Sequence, residues 1–210
     1  MKPIISRISM QLPLFCLCLL SVLAFGKPVF AVEVEPVIFI KEGVDQIISI
    51  LQDPKFSSPS MKTERRNKVY AIVEQKFDFR EMSMRTLARH WKERNPEEQE
   101  RFTSLFRQVL ENTYITKIEN YSGEKVLFKK HELQGDKALV YSDLIRNNVE
   151  TPVNYKLKNS GGRWAVYDVE VEGVSLVNNY RTQFASILDK ENFAALLSKL
   201  EEKVRKGQAD

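Results

Sequence analysis

Residues 167–184 read YDVEVEGVSLVNNYRTQF, and this stretch decides the expected fold. Its first half alternates between two sets of residues, which places Tyr167, Val169 and Val171 on one face of a strand. Beyond Gly173 the apolar residues recur at three- and four-residue spacing, as in a helix. These helical positions are Leu176, Val177, Tyr180 and Phe184. The stretch therefore predicts a strand that turns at a glycine into a helix folded back over the sheet, with an apolar crevice between them.

The chain before this corner predicts an antiparallel meander. Strand patterns cover four segments, residues 125–133, 137–146, 150–158 and 163–172. Three turn sequences link them, Gly135-Asp136, Asn147-Asn148 and Ser160-Gly161-Gly162. Links this short join antiparallel neighbours, because a parallel crossover needs roughly a dozen residues or more.

Capping signals and apolar periodicity predict helices before and after the strands in the sequence. Asp78 and Asn95 each have a glutamate three residues later, the spacing of a capping box. Helices are expected to begin near Pro36, Ser58-Pro59, Asp78 and Asn95, and two more to cover residues 174–188 and 191–205. We therefore expect one α+β domain over residues 32–210, with N-terminal and C-terminal helices packed on a curved antiparallel sheet of about four strands and an apolar cavity between them.

The N-terminal segment has the composition of an export signal. Lys2 and Arg7 precede an apolar run over residues 12–25, which is shorter than the roughly 20 residues that span a bilayer. Cleavage fits after Ala31 or after Gly26, and we prefer Ala31 because acidic residues begin just beyond it. The sequence thus predicts a periplasmic protein.

Removal of residues 1–31 as a signal peptide would change the chemistry of the chain. Cys16 and Cys18 both lie in this segment, so the mature protein would have no disulfide and no thiolate metal site. Loss of three basic residues and no acid would lower the formal net charge from +4 to +1. A net charge this small gives no reason to expect binding to nucleic acid.

The sequence carries no recognisable catalytic constellation. His90 and His131 are the two histidines of the chain and fall on different predicted elements. We expect Asp168, near the end of a strand, to make a structural hydrogen bond to nearby backbone rather than to act as a general base. The interpretation is a protein that is not an enzyme and needs no metal or cofactor. The alternative is a small hydrolase or isomerase in which Asp168 faces a polar pocket.

Two groups of residues resemble one known family. One is the stretch 167–184, and the other is a looser upstream motif. The upstream motif comprises Phe77-Asp78-Phe79, Met82-Ser83, Leu87, Arg89-His90-Trp91, Gln99, Phe102 and Thr113-Tyr114. Together they resemble the MlaC, or toluene-tolerance auxiliary, family. The sequence departs from the family at Ala88, where the family often has glycine.

The resemblance implies a fold and a function. Members of this family have a fold similar to the cystatin/NTF2 shape and are periplasmic phospholipid carriers that work with an ABC transporter. By this resemblance the chain would dock with an inner-membrane ABC transporter complex and an outer-membrane lipoprotein complex, and we expect it to be a monomer. A carrier of another lipid, such as a hopanoid or a sterol-like molecule, is the alternative of the same kind.

The residues expected to contact the lipid are apolar and aromatic positions that converge on the seam between sheet and helices. They are Tyr114, Leu139, Tyr141, Val153, Tyr155, Val169, Val171, Val174 and Leu176. Both faces of the second strand are apolar, so the pattern does not decide between Leu139 with Tyr141 and Val140 with Leu144. Arg89 and Arg181 are the candidates for contact with a headgroup or a partner protein.

Overall fold

The computed structural model describes residues 35–207. The predicted signal peptide, both cleavage sites and both cysteines lie outside these residues, so the export signal stays a prediction. Within residues 35–207, no helix has the combination of length and apolar character that crossing a membrane requires.

Within residues 35–207, four α-helices precede the sheet, near the positions that capping signals and apolar periodicity predict, and a 3-10 turn at Pro59–Met61 precedes the second. Their bounds are α1 Pro36–Gln52, α2 Lys62–Lys76, α3 Phe79–Leu87 and α4 Pro96–Glu119. Asp78 is the N-cap of α3, because its Oδ1 accepts a hydrogen bond of 2.8 Å from the backbone N–H of Glu81. Asn95 and Glu98 form a reciprocal capping box at the start of α4.

The sheet is an antiparallel meander whose strands lie side by side in chain order. The strands are β1 Lys125–Gln134, β2 Lys137–Arg146, β3 Val149–Ser160, β4 Arg163–Val171 and β5 Val174–Ser175. β5 was not expected: Glu172 and Gly173, with φ of 50° and 80°, form a two-residue turn after which the chain pairs briefly with β4. Helices α5 Leu176–Leu188 and α6 Phe193–Gly207 follow. The prediction of an α+β fold is thus confirmed, with a fifth short strand.

An extra residue in β4 makes the side-chain alternation of that strand differ from the predicted one. Lys156 pairs with Asp168 and Leu157 with Val166, which leaves Tyr167 without a partner in β3. A bulge of this kind shifts the side-chain alternation by one residue. Tyr167 therefore does not share a face with Val169: its ring lies 4.0 Å from the guanidinium of Arg85. The prediction that Tyr167 lies on the same face as Val169 and Val171 is wrong for this reason.

The packed core occupies only part of the space between helices and sheet. Among the helices, aromatic rings pack together, with Phe106 and Tyr180 at 5.1 Å and Phe102 and Phe184 at 5.7 Å between centroids. A second cluster lies against the end of the sheet where β2 begins and β3 ends. Its buried members are Ile40, Ala138, Val140, Leu157, Trp164 and Val166. Among the described residues, Val126, Leu144 and Val153 at the opposite end of the sheet line open space instead.

Candidate functional site

Two adjoining apolar cavities lie at the less filled end of the sheet. The larger, of about 680 Å³, is lined by residues of α1, α2, α4 and the sheet. The smaller, of about 300 Å³, is lined by α2, α3, α4, the end of β4 and the start of α5. Five residues line both, namely Val73, Phe77, Tyr114, Ile118 and Val169. These shared side chains lie at the junction of the two neighbouring spaces.

Helix α1 supplies one wall of the larger cavity. Its face carries Ile47, Ile48 and Leu51, which remain half-buried, whereas Ile40 nearer the start of the helix is buried. The sheet supplies Val126, Leu144 and Val153 opposite. The apolar periodicity of α1 therefore serves two purposes: one end of the helix packs in the core, and the other faces open space.

Tyr155 contributes a polar group to the larger cavity. Burial raises the pKa of Tyr155 to about 12, although part of the ring remains accessible from the cavity that it lines. No hydrogen bond joins its hydroxyl to another described residue. Tyr155 is therefore neutral at physiological pH and can donate one hydrogen bond to a bound molecule.

The smaller cavity has an exposed apolar rim and one charged lining residue. Val171 and Val174, which pair across the β4–β5 turn, are 40% and 62% exposed. The carboxylate of Glu111 is the only charged group among the described residues that line this cavity. Burial raises the pKa of Glu111, the charge of Arg107 opposes that rise and the charge of Glu74 adds to it. A group in this position favours its neutral form more than an exposed glutamate does.

Seven of the nine expected lipid-contact residues line these cavities. Tyr114 and Val169 line both, Val153 and Tyr155 line the larger, and Val171, Val174 and Leu176 line the smaller.

The other two expected contact residues, Leu139 and Tyr141, lie on the opposite face of β2. Tyr141 donates from its hydroxyl to Glu132 at 3.2 Å, while Val140 is buried in the core and Leu144 lines the larger cavity. The alternate positions of β2 thus face inward, which corrects the assignment of Leu139 and Tyr141.

The arginines expected near a headgroup lie away from both cavities. Arg89 is exposed and pairs with Asp189 at 3.5 Å. Arg181 donates from Nε to the backbone oxygen of Arg85 at 2.8 Å and lines a separate polar cleft beside Asp168. Their positions do not support contact with a headgroup, and contact with a partner protein stays a prediction.

Asp168 anchors the start of α5. It is 4% exposed, and its Oδ1 accepts from the backbone N–H of Val177 at 3.0 Å. Its Oδ2 accepts from Ser175 Oγ at 2.7 Å and from Lys156 Nζ at 3.2 Å. The structural role expected for Asp168 agrees with these bonds. Within residues 35–207, no cluster of histidine, cysteine or carboxylate side chains could hold a metal ion.

The sequence pattern did not predict five charged residues that line the cavities. They are Lys76, Glu111, Lys117, Glu124 and Arg146. Glu111 and Lys117 lie three residues before and after Tyr114 on α4, and Arg146 lies two residues after Leu144 on β2. The spacing of Glu111, Lys117 and Arg146 from these apolar lining positions is the sequence pattern that could have predicted their place at the cavities.

These features define a class of protein: a small α+β domain that encloses apolar space between helices and an antiparallel sheet and can bind a long apolar molecule. A sequence profile of the MlaC protein family matches residues 41–202, and the chain belongs to this family.

Named relatives agree with this assignment. The intermembrane phospholipid transport system binding protein MlaC of Haemophilus influenzae is 23% identical over 184 residues, which cover 81% of this chain and 82% of that protein. The toluene tolerance protein ttg2D of Pseudomonas putida is 30% identical over 97 residues, or 45% of each chain. A phospholipid-binding protein from Ralstonia solanacearum, solved with a bound phospholipid, superposes with a TM-score of 0.71 at 24% identity. The superposition covers 81% of this chain and 97% of that chain and shows a shared fold.

Proposed function

We propose that this protein is a periplasmic phospholipid carrier that holds acyl chains in the two cavities and moves lipid between membrane complexes. The single observation that carries the proposal is the pair of adjoining apolar cavities in an MlaC-family fold. Their volumes, about 300 and 680 Å³, fall in the range of about 300–1,000 Å³ that is common for small-molecule sites.

The free energy of exposing a lipid to water explains why a carrier is needed. A phospholipid has on the order of 30 methylenes in its two chains, and exposing each costs about 0.8 kcal/mol, or roughly 24 kcal/mol in all. Acyl chains in an apolar cavity avoid most of this cost. Because membrane and cavity are both apolar, the net free energy of transfer can be near zero, so lipid can load and unload.

This mechanism requires no covalent chemistry from the protein. The direction of transfer would then depend on its partners, which we propose to be an inner-membrane ABC transporter complex and an outer-membrane lipoprotein complex. The bonds that Asp168 makes to the start of α5 and to Lys156 disfavour the hydrolase alternative, because they occupy both carboxylate oxygens. Two adjoining spaces suit two flexible chains better than one broad, rigid sterol-like ring system.

The test is organic extraction of the purified mature protein followed by mass spectrometry. We expect a phospholipid; a hopanoid or sterol would establish the alternative cargo. Absence of any lipid, together with no uptake from phospholipid vesicles, would overturn the carrier function.

A matched pair of variants tests whether the cavities hold the lipid. Val169→Glu places a charge at the junction of the two cavities, which Val169 lines on both sides, so we expect it to abolish loading. Leu139→Glu adds the same charge to the outer face of the sheet and should load normally. Circular dichroism checks that both variants are folded, and equal loading by the two would show that the lipid lies elsewhere.

A further inference from the structure

We infer that the opening of the larger cavity is a binding site for a phosphate group, formed by Lys117 and Arg146. The inference rests on the proposed carrier function and adds an orientation: the phosphate of the lipid lies at this opening and not at the smaller cavity.

The exposed lining residues locate the opening of the larger cavity. Lys117, Asn120 and Arg146 all line this cavity and are exposed to solvent, so they must stand where it meets water. They come from the end of α4 and the end of β2. Gln52, at the end of α1, donates to the hydroxyl of Tyr121 at 3.3 Å and closes the rim on that side. An amphipathic ligand with its chains inside would place its polar end at this rim.

The charges of the two cavities differ in sign. Three cations, Lys76, Lys117 and Arg146, line the larger cavity against one carboxylate, Glu124, which leaves a formal charge of +2 among the described residues. Among the described residues, the carboxylate of Glu111 is the one charged group that lines the smaller cavity. A phosphate would be attracted to the first and repelled by the second.

Arg146 is held in place with free hydrogen-bond donors. Its Nε lies 3.0 Å from Oε1 of Glu124, which in turn accepts from the hydroxyl of Ser122 at 3.1 Å. The backbone N–H of Ser122 donates to the other oxygen at 2.6 Å and lowers the pKa of Glu124, so this carboxylate stays ionised. No described residue binds the terminal nitrogens of Arg146. A guanidinium oriented in this way can donate to a phosphate.

Lys117 is the second available cation. Its Nζ lies 5.5 Å from the ring centre of Tyr114, and no ion pair within residues 35–207 joins it to a carboxylate. Lys76 is already engaged, because its Nζ lies 3.5 Å from Glu42 and 4.1 Å from the ring centre of Phe39. Lys117 and Arg146 are therefore the pair that a phosphate would meet.

The test compares a lipid that has a phosphate with one that lacks it. The double variant Lys117→Ala, Arg146→Ala and the wild type are delipidated and titrated with phosphatidylglycerol and with diacylglycerol of the same chains. We expect the double variant to bind phosphatidylglycerol about a hundredfold more weakly, since each of the two lost charge-assisted contacts contributes about tenfold, and to bind diacylglycerol as the wild type does. Lys125→Ala, an exposed cation on β1 that lines neither cavity, is the matched control and should change neither affinity.

Each other outcome has a definite meaning. Equal weakening for both lipids would show that the substitutions act on the shape of the cavity. No weakening for either lipid would show that the phosphate lies elsewhere. Either result would overturn the proposed phosphate site and leave the carrier function intact. Wild-type protein that binds neither lipid would overturn the carrier function itself. If inorganic phosphate alone binds wild type as tightly as phosphatidylglycerol does, and not the double variant, the site serves free phosphate and the lipid orientation is overturned.

Discussion

Ala88 occupies a position where the backbone conformation explains why the family often has glycine. It follows α3 with φ of 50° and ψ of −118°, a conformation that glycine adopts readily and that strains a residue with a Cβ. The family that the sequence resembles often has glycine at this position. The structure indicates that backbone conformation is the reason.

The first prediction follows from this strain. Ala88→Gly should stabilise the protein by about 1 kcal/mol, because relief of strain of about 1–3 kcal/mol exceeds the entropic cost of glycine. Urea unfolding measures the change. Ala185→Gly, inside α5, is the control and should destabilise by about 1 kcal/mol. A loss of stability in both variants would contradict the account of Ala88.

Glu111 gives a second prediction, on pH. An acyl chain in the smaller cavity would expel water from this carboxylate and raise further a pKa that burial already raises. Loading would then take up a proton, so lipid affinity should rise as the pH falls through the interval between the empty and the loaded pKa. The other groups near it are Arg107, whose Nε lies 3.8 Å from Glu111, together with Glu74 and Tyr70 on α2.

Lipid titrations at several pH values provide the measurement. Glu111→Gln should remove the pH dependence and bind well at neutral pH, since its side chain cannot ionise. Glu74→Gln alters an exposed partner of the same Arg107 and should keep the pH dependence. The same slope in Glu111→Gln as in wild type would assign the effect to another group.

At the scale of elements, the bonds of Asp168 join β4 to α5. Asp168→Ala would leave the buried N–H of Val177 without its partner and the ammonium of Lys156 with only Glu170. We expect a loss of about 3 kcal/mol in unfolding free energy, measured in urea. Glu170→Ala, on the same strand and also paired with Lys156, should cost less than about 1 kcal/mol because Glu170 is more accessible to solvent. Equal losses would mean that Asp168 does not anchor α5.

The sequence predicts elements here better than it predicts which way they face. Caps and turn residues are local signals, so α3, α4 and the three hairpin links could be found from Asp78, Asn95 and the paired turn residues. The bulge at Tyr167 could not, because an extra residue leaves no mark on a strand pattern that alternates throughout. The inward face of β2 could not either, since only packing against α1 distinguishes Val140 from Leu139.

The cavities could not be predicted from the apolar periodicity of the sequence. An apolar residue that lines open space and one that packs in a core have the same pattern along α1, as Ile47 and Ile40 do. The difference depends on what the opposite wall supplies, which is a property of the whole molecule.

At the scale of the whole molecule, the open space at one end of the sheet should make the free energy of unfolding depend on bound lipid. A ligand that binds only the folded state stabilises it by about 2.7 kcal/mol at a free concentration of one hundred times Kd. For a domain of this size that corresponds to roughly 5–10 °C in Tm. Delipidated protein should therefore melt lower than reloaded protein in a calorimetric scan.

The control for this thermal prediction is the Val169→Glu variant. It should show no gain in Tm on incubation with phospholipid, because its cavities exclude the chains. A similar gain in this variant would indicate that lipid stabilises the protein from its surface.

The register of the sheet has a consequence for how partners take turns. Lys125 at the start of β1 pairs with Ile145, and Val171 at the end of β4 pairs with Val153, so the openings beside Arg146 and Val171 lie at the same end of the sheet. A donor and an acceptor that both need these openings must then compete for one surface. If the two proposed partners both engage these openings, the protein has to release one partner before it binds the other.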